Sequence, residues 1–199
     1  MSLNAEEFLN EILKDLSQMD YIHPETIPGI DLYMDQVTTF INDHLSKSRR
    51  HPEDKILTKT MINNYAKNRL LPAPQKKKYN SEHMLLLIFI YYFKGILSIS
   101  DIQSLLKSIT EKYFSRDNGI TLKDIYQEVF SLESAQMEVL REDVLQKFSC
   151  AKELFRDAPE DEQEQLQLFS FICLLSFDVY MKKQMIERMI DRMNSPEYP

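Results

Sequence analysis

The chain has 199 residues, 43% of them hydrophobic, which is enough for one domain or two small ones with a buried core. Its three glycines argue against Rossmann, P-loop and β-sandwich folds, because those folds need glycine in turns and phosphate-binding loops. The formal net charge is −7, yet residues 47–79 hold ten basic and two acidic side chains, a local charge of +8. This basic island predicts a surface for a polyanion.

The first 45 residues predict two packing helices. Apolar spacing indicates a packing helix over residues 3–19, with Phe8, Ile12 and Leu16 along one side and Leu9 and Leu13 adjacent to them. The start of this helix is acidic and amphipathic, which predicts that it is not a secretion signal. Prolines make residues 20–30 a connector, and a second helix is predicted over 31–45, with Val37, Phe40 and Ile41 buried.

The most informative stretch reads LTKTMINNYAKNRLLPAPQKKKY, residues 57–79. Thr58 is a suitable N-cap, and Pro72 requires the helix to end before it. In the absence of a glycine, Asn68 is predicted as the left-handed residue that ends the helix. Ile62 and Tyr65 share the predicted inner face. The opposite face carries Lys59, Thr60, Asn63, Asn64 and Lys67, followed in the loop by Lys76, Lys77 and Lys78.

The rest of the chain is predicted to be helical, so the fold class is all-α. Asn80 or Ser81 is predicted to cap the next helix. Residues 81–94 are apolar almost all round, which predicts a buried central helix too short to cross a membrane. Further helices are predicted from Ser98 or Ser100, over 121–130, from 132 or 133 to 155, and over 161–193. The apolar part of the last one, 166–181, is interpreted as core or subunit interface. Three regions follow: 1–29, an N-terminal helix and connector; 30–115, a helix-turn-helix domain; and 119–195, a C-terminal helical bundle.

No catalytic or cofactor motif is recognisable in the sequence. The four histidines have no spacing that would place two of them beside a carboxylate, and no nucleophile motif or phosphate loop occurs. The chain is therefore predicted not to be an enzyme and to need no metal or other cofactor. Cys150 and Cys173 stand among apolar residues, which predicts buried free thiols in a reducing compartment, the cytoplasm.

The runs LTKTMINNYAKNRLLP and YNSEHMLLLIFIYYFKGILSISDIQSLL resemble the second helix and the segment after the wing of MerR-type winged-helix regulators. IDLYMDQVTTFI would be the first helix of that unit. The runs IDLYMDQV, TKTMINNYAK and KKKY are also similar to an uncharacterised bacterial family, domain of unknown function 1836. That family has no established biochemical function to transfer.

The MerR resemblance implies a DNA-binding helix, but this chain departs from the pattern. The family's groove-facing arginine and tyrosine fall on Asn63 and Asn64, and its glycine after the helix falls on Arg69. Only residues 73–78 remain for the wing, too few for the usual hairpin. The family's metal cysteines have no counterpart in Cys150 and Cys173.

Two functions are compatible with these features of the sequence. The first is a DNA-binding transcriptional regulator, a homodimer on double-stranded DNA, with an effector that the sequence does not identify. Its DNA contacts are the exposed face of the Thr58 helix and the three loop lysines named above, with Arg49 and Arg50. The alternative is a protein-interaction module, an adaptor or anti-regulator built on a degenerate helix-turn-helix.

Overall fold

The computed structural model describes residues 5–18, 21–116 and 118–195, and over these the chain is mostly helical, as predicted. The described helices are α1 (Ala5–Ser17), α2 (Met34–His44), α3 (Lys59–Lys67), α4 (Ser81–Lys94), α5 (Ile99–Tyr113), α6 (Leu122–Ser131), α7 (Glu133–Lys152) and α8 (Glu160–Met193). Short 3₁₀ turns occupy Pro24–Thr26 and Ser46–Ser48. The prediction of an all-α fold misses one feature, a two-stranded antiparallel sheet of β1 (Leu32–Tyr33) and β2 (Lys78–Tyr79).

The chain divides into two compact units. The first combines residues 1–20 with 132–186, and the second combines 21–131 with 187–199. The three regions predicted from sequence are each continuous in the chain, whereas each of these units combines two separate segments. The three regions remain a prediction.

The first unit is built on α1, α7 and the greater part of α8. Leu9 and Leu13 of α1 join Phe148 of α7 and Phe171 of α8 in its buried cluster. Of the two apolar stripes predicted on α1, the structure buries Leu9 and Leu13 and leaves Phe8 and Ile12 exposed. The two apolar stripes are adjacent on this helix, so periodicity alone does not choose between them. The predicted ends Leu3 and Met19 lie outside the described residues.

The second unit forms around α4, where every residue from His83 to Ile90 is buried. This confirms the prediction of a central helix. Tyr126 of α6 is fully buried and its hydroxyl donates to the carbonyl oxygen of Ile22 at 2.7 Å. The ring of Tyr126 also packs edge-on against Phe89 of α4, with centroids 5.4 Å apart. Residues 21–22 are thereby fixed to the α4–α6 core.

The cap predicted at Thr58 is confirmed. For the next two helices the sequence left two candidates each, and the structure has Asn80 rather than Ser81 and Ser98 rather than Ser100 as the cap. Thr58 accepts from the backbone N–H of Met61 at 3.2 Å, Asn80 from His83 at 3.1 Å, and Ser98 from Asp101 at 3.2 Å. Each cap satisfies an amide that the first helical turn leaves unpaired, so the starts of α3, α4 and α5 are locally encoded.

The predicted end of α3 is wrong by one residue. Asn68 has φ −87°, whereas Arg69 has φ 57° and is the left-handed residue. The N–H of Arg69 donates to Ala66 at 3.1 Å and the N–H of Leu70 donates to Tyr65 at 2.9 Å. These two bonds form a Schellman motif. The left-handed turn is therefore kept at the position where the MerR pattern has glycine, although the residue is arginine.

Cys150 and Cys173 are free thiols, as predicted, but both are exposed, so the prediction that they are buried is wrong. Both lie on helices with apolar residues on more than one face, and sequence neighbours there do not report burial. None of the described helices has the length and apolarity needed to span a membrane.

Candidate nucleic-acid interface

The outer face of α3 is open, and its inner face is anchored. Ile62 and Tyr65 are buried against the unit, with Ile62 fully inaccessible. Around the helix from them the predicted contact residues are all exposed, namely Lys59, Thr60, Asn63, Asn64 and Lys67. The structure thus brings five of the ten predicted residues onto one helix face.

Three further predicted lysines form a turn of their own, the lysine hairpin, residues 75–78. The N–H of Lys78 donates to the carbonyl oxygen of Gln75 at 2.9 Å, and these two residues form an antiparallel bridge. Lys76 and Lys77 between them have φ 48° and 64°. Positive φ at both central residues is the mark of the two-residue type I′ hairpin turn. The predicted wing loop is therefore a minimal hairpin, and its exposed tip is two lysines.

Two contacts connect the base of this hairpin to the start of α3. Lys78 places its ammonium 5.2 Å from the centroid of the Tyr33 ring, and β2 pairs with β1 so that Lys78 stands opposite Tyr33. Two residues on, Asp35 in the first turn of α2 forms an ion pair with Lys59 of α3. The segment from Tyr33 to Asp35 thus contacts both the lysine hairpin and α3.

The two arginines have different surroundings. Arg50 is exposed. Arg49 is half-buried, and its terminal nitrogen donates to the carbonyl oxygen of Asn42 at 2.8 Å, while its Nε is buried with no hydrogen-bond partner in the structure. Arg49 therefore holds the loop before α3 to α2.

Acidic side chains lie close to some of the positive charges on this surface. Arg49, Lys59 and Thr60 line an open cleft of about 620 Å³ together with Glu53 and Asp54. Glu53 and Asp54 are the two acids already counted in the local charge of +8, and Asp35, which lies outside residues 47–79, adds a third negative charge near the start of α3. The less compensated charge is at Lys67, Lys76 and Lys77.

Sequence reasoning missed Asn42, which sets the position of α3 relative to α2. Its amide nitrogen donates to Leu57 O and Thr38 O, each at 2.7 Å, and its oxygen accepts from the N–H of Ile56 at 3.1 Å. Lys94 of α4 reinforces the same point by donating to Ile56 O at 2.6 Å. Burial lowers the pKa of Lys94. No sequence pattern identifies such a residue, since its partners are backbone groups 14 and 15 positions away.

His83 forms a capping box with Asn80 at the start of α4, and its ring is buried. Its Nδ1 is 2.5 Å from the side-chain oxygen of Asn80, and its ring meets Tyr79 and Phe114 edge-on. The Nε2 atom is buried and has no partner of hydrogen-bond geometry. Burial lowers the pKa of His83, although the carbonyls of Pro72 and Ala73 and the Asp31 carboxylate favour the charged form.

Comparison with curated proteins and with solved structures found no match. A family model, domain of unknown function DUF1836, matches residues 22–129. The matched range begins and ends close to the 21–131 segment of the second unit, which carries α3, the lysine hairpin and the Asn42 contacts. The chain belongs to the DUF1836 family.

Proposed function

We propose that this chain is a DNA-binding transcriptional regulator in which α2 and α3 form a MerR-like helix-turn-helix and the lysine hairpin replaces the wing. The observation that carries the proposal is the exposed polar face of α3 beside a hairpin whose tip is Lys76 and Lys77. In helix-turn-helix proteins the second helix enters the major groove and its early residues contact base edges.

Different side chains of this surface would make different kinds of DNA contact. Asn63 and Asn64 supply amides that can pair with base edges, most favourably adenine. Lys67, Lys76, Lys77 and Arg50 supply ammonium and guanidinium groups for phosphates, which position the protein without reading sequence. Lys59 and Thr60 lie at the start of α3, where Asp35 limits the free charge of Lys59. A homodimer would place two such surfaces on inverted half-sites.

Duplex binding as a function of salt tests the proposal. We expect the full chain to bind a duplex chosen by selection from random sequences, with a log–log salt slope of about −0.9 per phosphate contact. Replacing Lys76, Lys77 and Lys78 together with Ala should weaken binding to every duplex and reduce that slope by about 0.9 for each lysine that contacts a phosphate.

A matched control removes three exposed lysines elsewhere in the same unit, Lys107, Lys112 and Lys123. This control should bind almost as well as the wild type. Equal losses in the two triple variants, or binding that does not respond to salt, would contradict the proposal. Asn63→Ala should narrow the preference for the selected duplex over random DNA by about 1–3 kcal/mol, with little change in non-specific affinity.

A second candidate function follows from the acids beside α3. Because Asp35, Glu53 and Asp54 offset nearby bases, the same surface also suits an acidic protein segment that places a few carboxylates on Lys67, Lys76 and Lys77. The outcome that would favour it is specific retention of an acidic protein by the wild type but not by the triple-lysine variant, with no measurable affinity for any duplex.

A further inference from the structure

Helix α8 has two apolar faces, and the first unit buries only one of them. Leu168, Phe171 and Leu175 pack into the cluster formed with α1 and α7. On a second side, centred about 140° around the helix from these three residues, Phe169, Ile172, Phe177 and Tyr180 are 64%, 53%, 63% and 56% exposed. We call this second surface the α8 outer face; it consists of Phe169, Ile172, Cys173, Ser176, Phe177 and Tyr180, all exposed.

The spacing of the outer face is that of a helix-pairing seam. Its residues recur at intervals of three and four, which places them along one line of the helix surface. Monomeric proteins in water seldom expose a continuous apolar patch above a few hundred Å². Burying each such side chain is worth about 1.5–3 kcal/mol, so an occupant of this face gains substantial free energy.

The charges at the two ends of the outer face identify the occupant. Glu162 and Glu164 precede the face, and four bases with two acids follow it over residues 182–192. A parallel copy would oppose Glu162 to itself, whereas an antiparallel copy opposes the acidic start to the basic end. A surface that carries both complementary ends fits itself across a two-fold axis.

We propose that two copies of this chain form a homodimer by packing their α8 outer faces antiparallel, with Cys173 close to the two-fold axis. The apolar side chains form the seam and the end charges set the direction. The dimer does not depend on DNA binding, so either proposal can fail while the other stands.

The mass of the full chain in solution tests the interface. The wild type should sediment at twice the 23.6 kDa chain mass. Phe177→Asp places a charge in the seam and should weaken dimerisation at least about 30-fold. Met185→Asp is the control, because Met185 is 59% exposed but lies about 120° around the helix from Cys173. It should leave the dimer intact.

Two results would overturn the interface: a wild type that sediments as a monomer, or a dimer that Phe177→Asp and Met185→Asp weaken equally. Circular dichroism of each variant should show the helix content of the wild type. As a second measurement, Cys150→Ser leaves Cys173 as the sole thiol, and a short bismaleimide should join two copies through it.

Cross-linking also tests the direction. In a background carrying Cys150→Ser and Cys173→Ser, a Glu162→Cys chain mixed with an Arg188→Cys chain should give the mixed cross-link as the main product. A parallel pair would instead link each variant to itself, and that outcome overturns the antiparallel arrangement.

Discussion

Lys76 and Lys77 occupy backbone positions that glycine or asparagine would fill with less strain. Both have positive φ, and an L-residue with a side chain gives up about 1 kcal/mol or more there. Strain of this kind is kept at sites where the side chain has a task. Two adjacent lysines at an exposed tip fit a task that requires positive charge.

Replacing the pair with the preferred turn sequence should separate stability from binding. We expect Lys76→Asn/Lys77→Gly to raise the free energy of unfolding by about 1–2 kcal/mol and to weaken duplex binding. Lys76→Ala/Lys77→Ala, which removes the charges but keeps the strain, should weaken binding equally without that gain. Urea unfolding and fluorescence anisotropy measure the two quantities. Equal unfolding free energies in both double variants would contradict this assignment of strain.

His83 makes stability depend on pH. Its folded-state pKa is lowered from 6.5 by burial, so the neutral form is the native one. As the pH falls below 6.5 the unfolded chain gains a proton that the folded chain does not. Stability is complete above 6.5 and declines below it, by up to about 1.4 kcal/mol per pH unit until the folded-state pKa is reached.

His83→Gln should reduce this loss. Glutamine at the third helical position can still pair with the cap residue, but it does not titrate. Between pH 7.5 and 5.5 the variant should lose less unfolding free energy than the wild type, measured by urea titration at each pH. His51→Gln, at an exposed position, is the control and should behave as the wild type. A wild-type stability that rises on acidification relative to His83→Gln would reverse the argument.

At the residue scale, the sequence predicted what depends on near neighbours. The cap at Thr58 was predicted outright, and those at Asn80 and Ser98 each as one of two candidates, because a cap bonds within three residues. The end of α3 was not, because asparagine is only a statistical preference there. The structure places the turn at Arg69, which allows Leu70 and Leu71 to be buried.

At the element scale, the position of α3 depends on Asn42. This single side chain bonds three backbone groups, two of them just ahead of α3, while Ile56 and Leu57 are themselves buried. Removing it leaves an N–H and a C=O in a part-buried site without their partner, and such groups cost about 1–3 kcal/mol each.

Asn42→Ala should therefore destabilise the fold by about 2–3 kcal/mol, measured by denaturant unfolding. Asn63→Ala is the matched comparison, because Asn63 is exposed and should change stability by less than about 0.5 kcal/mol. In duplex selection we expect the opposite order: Asn63→Ala should lose sequence preference although the protein is fully folded. Equal destabilisation by the two variants would show that Asn42 does not fix α3.

Helices were predicted more reliably than the sheet, for physical reasons. Apolar periodicity over ten or more residues predicts a helix without knowledge of its partners. Strands β1 and β2 are two residues each, and their paired residues are 45 and 47 positions apart in sequence, so no local pattern marks them. The exposed face of α3 was predicted from periodicity, but the ion pair of Lys59 with Asp35 was not, because it depends on how α2 and α3 pack.

At the scale of the whole molecule, the family match and one compact unit nearly coincide. Residues 21–131 hold the buried residues of α2 to α6, and the second unit adds 187–199, where Ile190 is buried. Ile190 and Met193 lie beside Ser104, Leu105 and Ser108 of α5. A fragment of residues 21–131 thus keeps most of the core of the second unit, but it exposes the part of α5 that lies beside Ile190.

We expect this fragment to fold by itself with reduced stability. Loss of one buried isoleucine should lower its free energy of unfolding by about 2–5 kcal/mol relative to the same segment in the full chain. Thermal unfolding followed by circular dichroism tests this, with Ile190→Ala in the full chain as the matched comparison. A fragment without cooperative unfolding would show that the family region needs the rest of the chain.

The Asn42 contacts fix the backbone at Ile56 and Leu57. The position of α3 should therefore not depend on the residues between Arg50 and Lys55. This stretch is exposed, and doubling the length of a flexible loop costs only about 0.6 kcal/mol of closure entropy. A short epitope or fluorophore tag spliced in after Pro52 should leave the melting temperature almost unchanged. A longer stretch at this point of the chain should therefore leave the helix behind it in place.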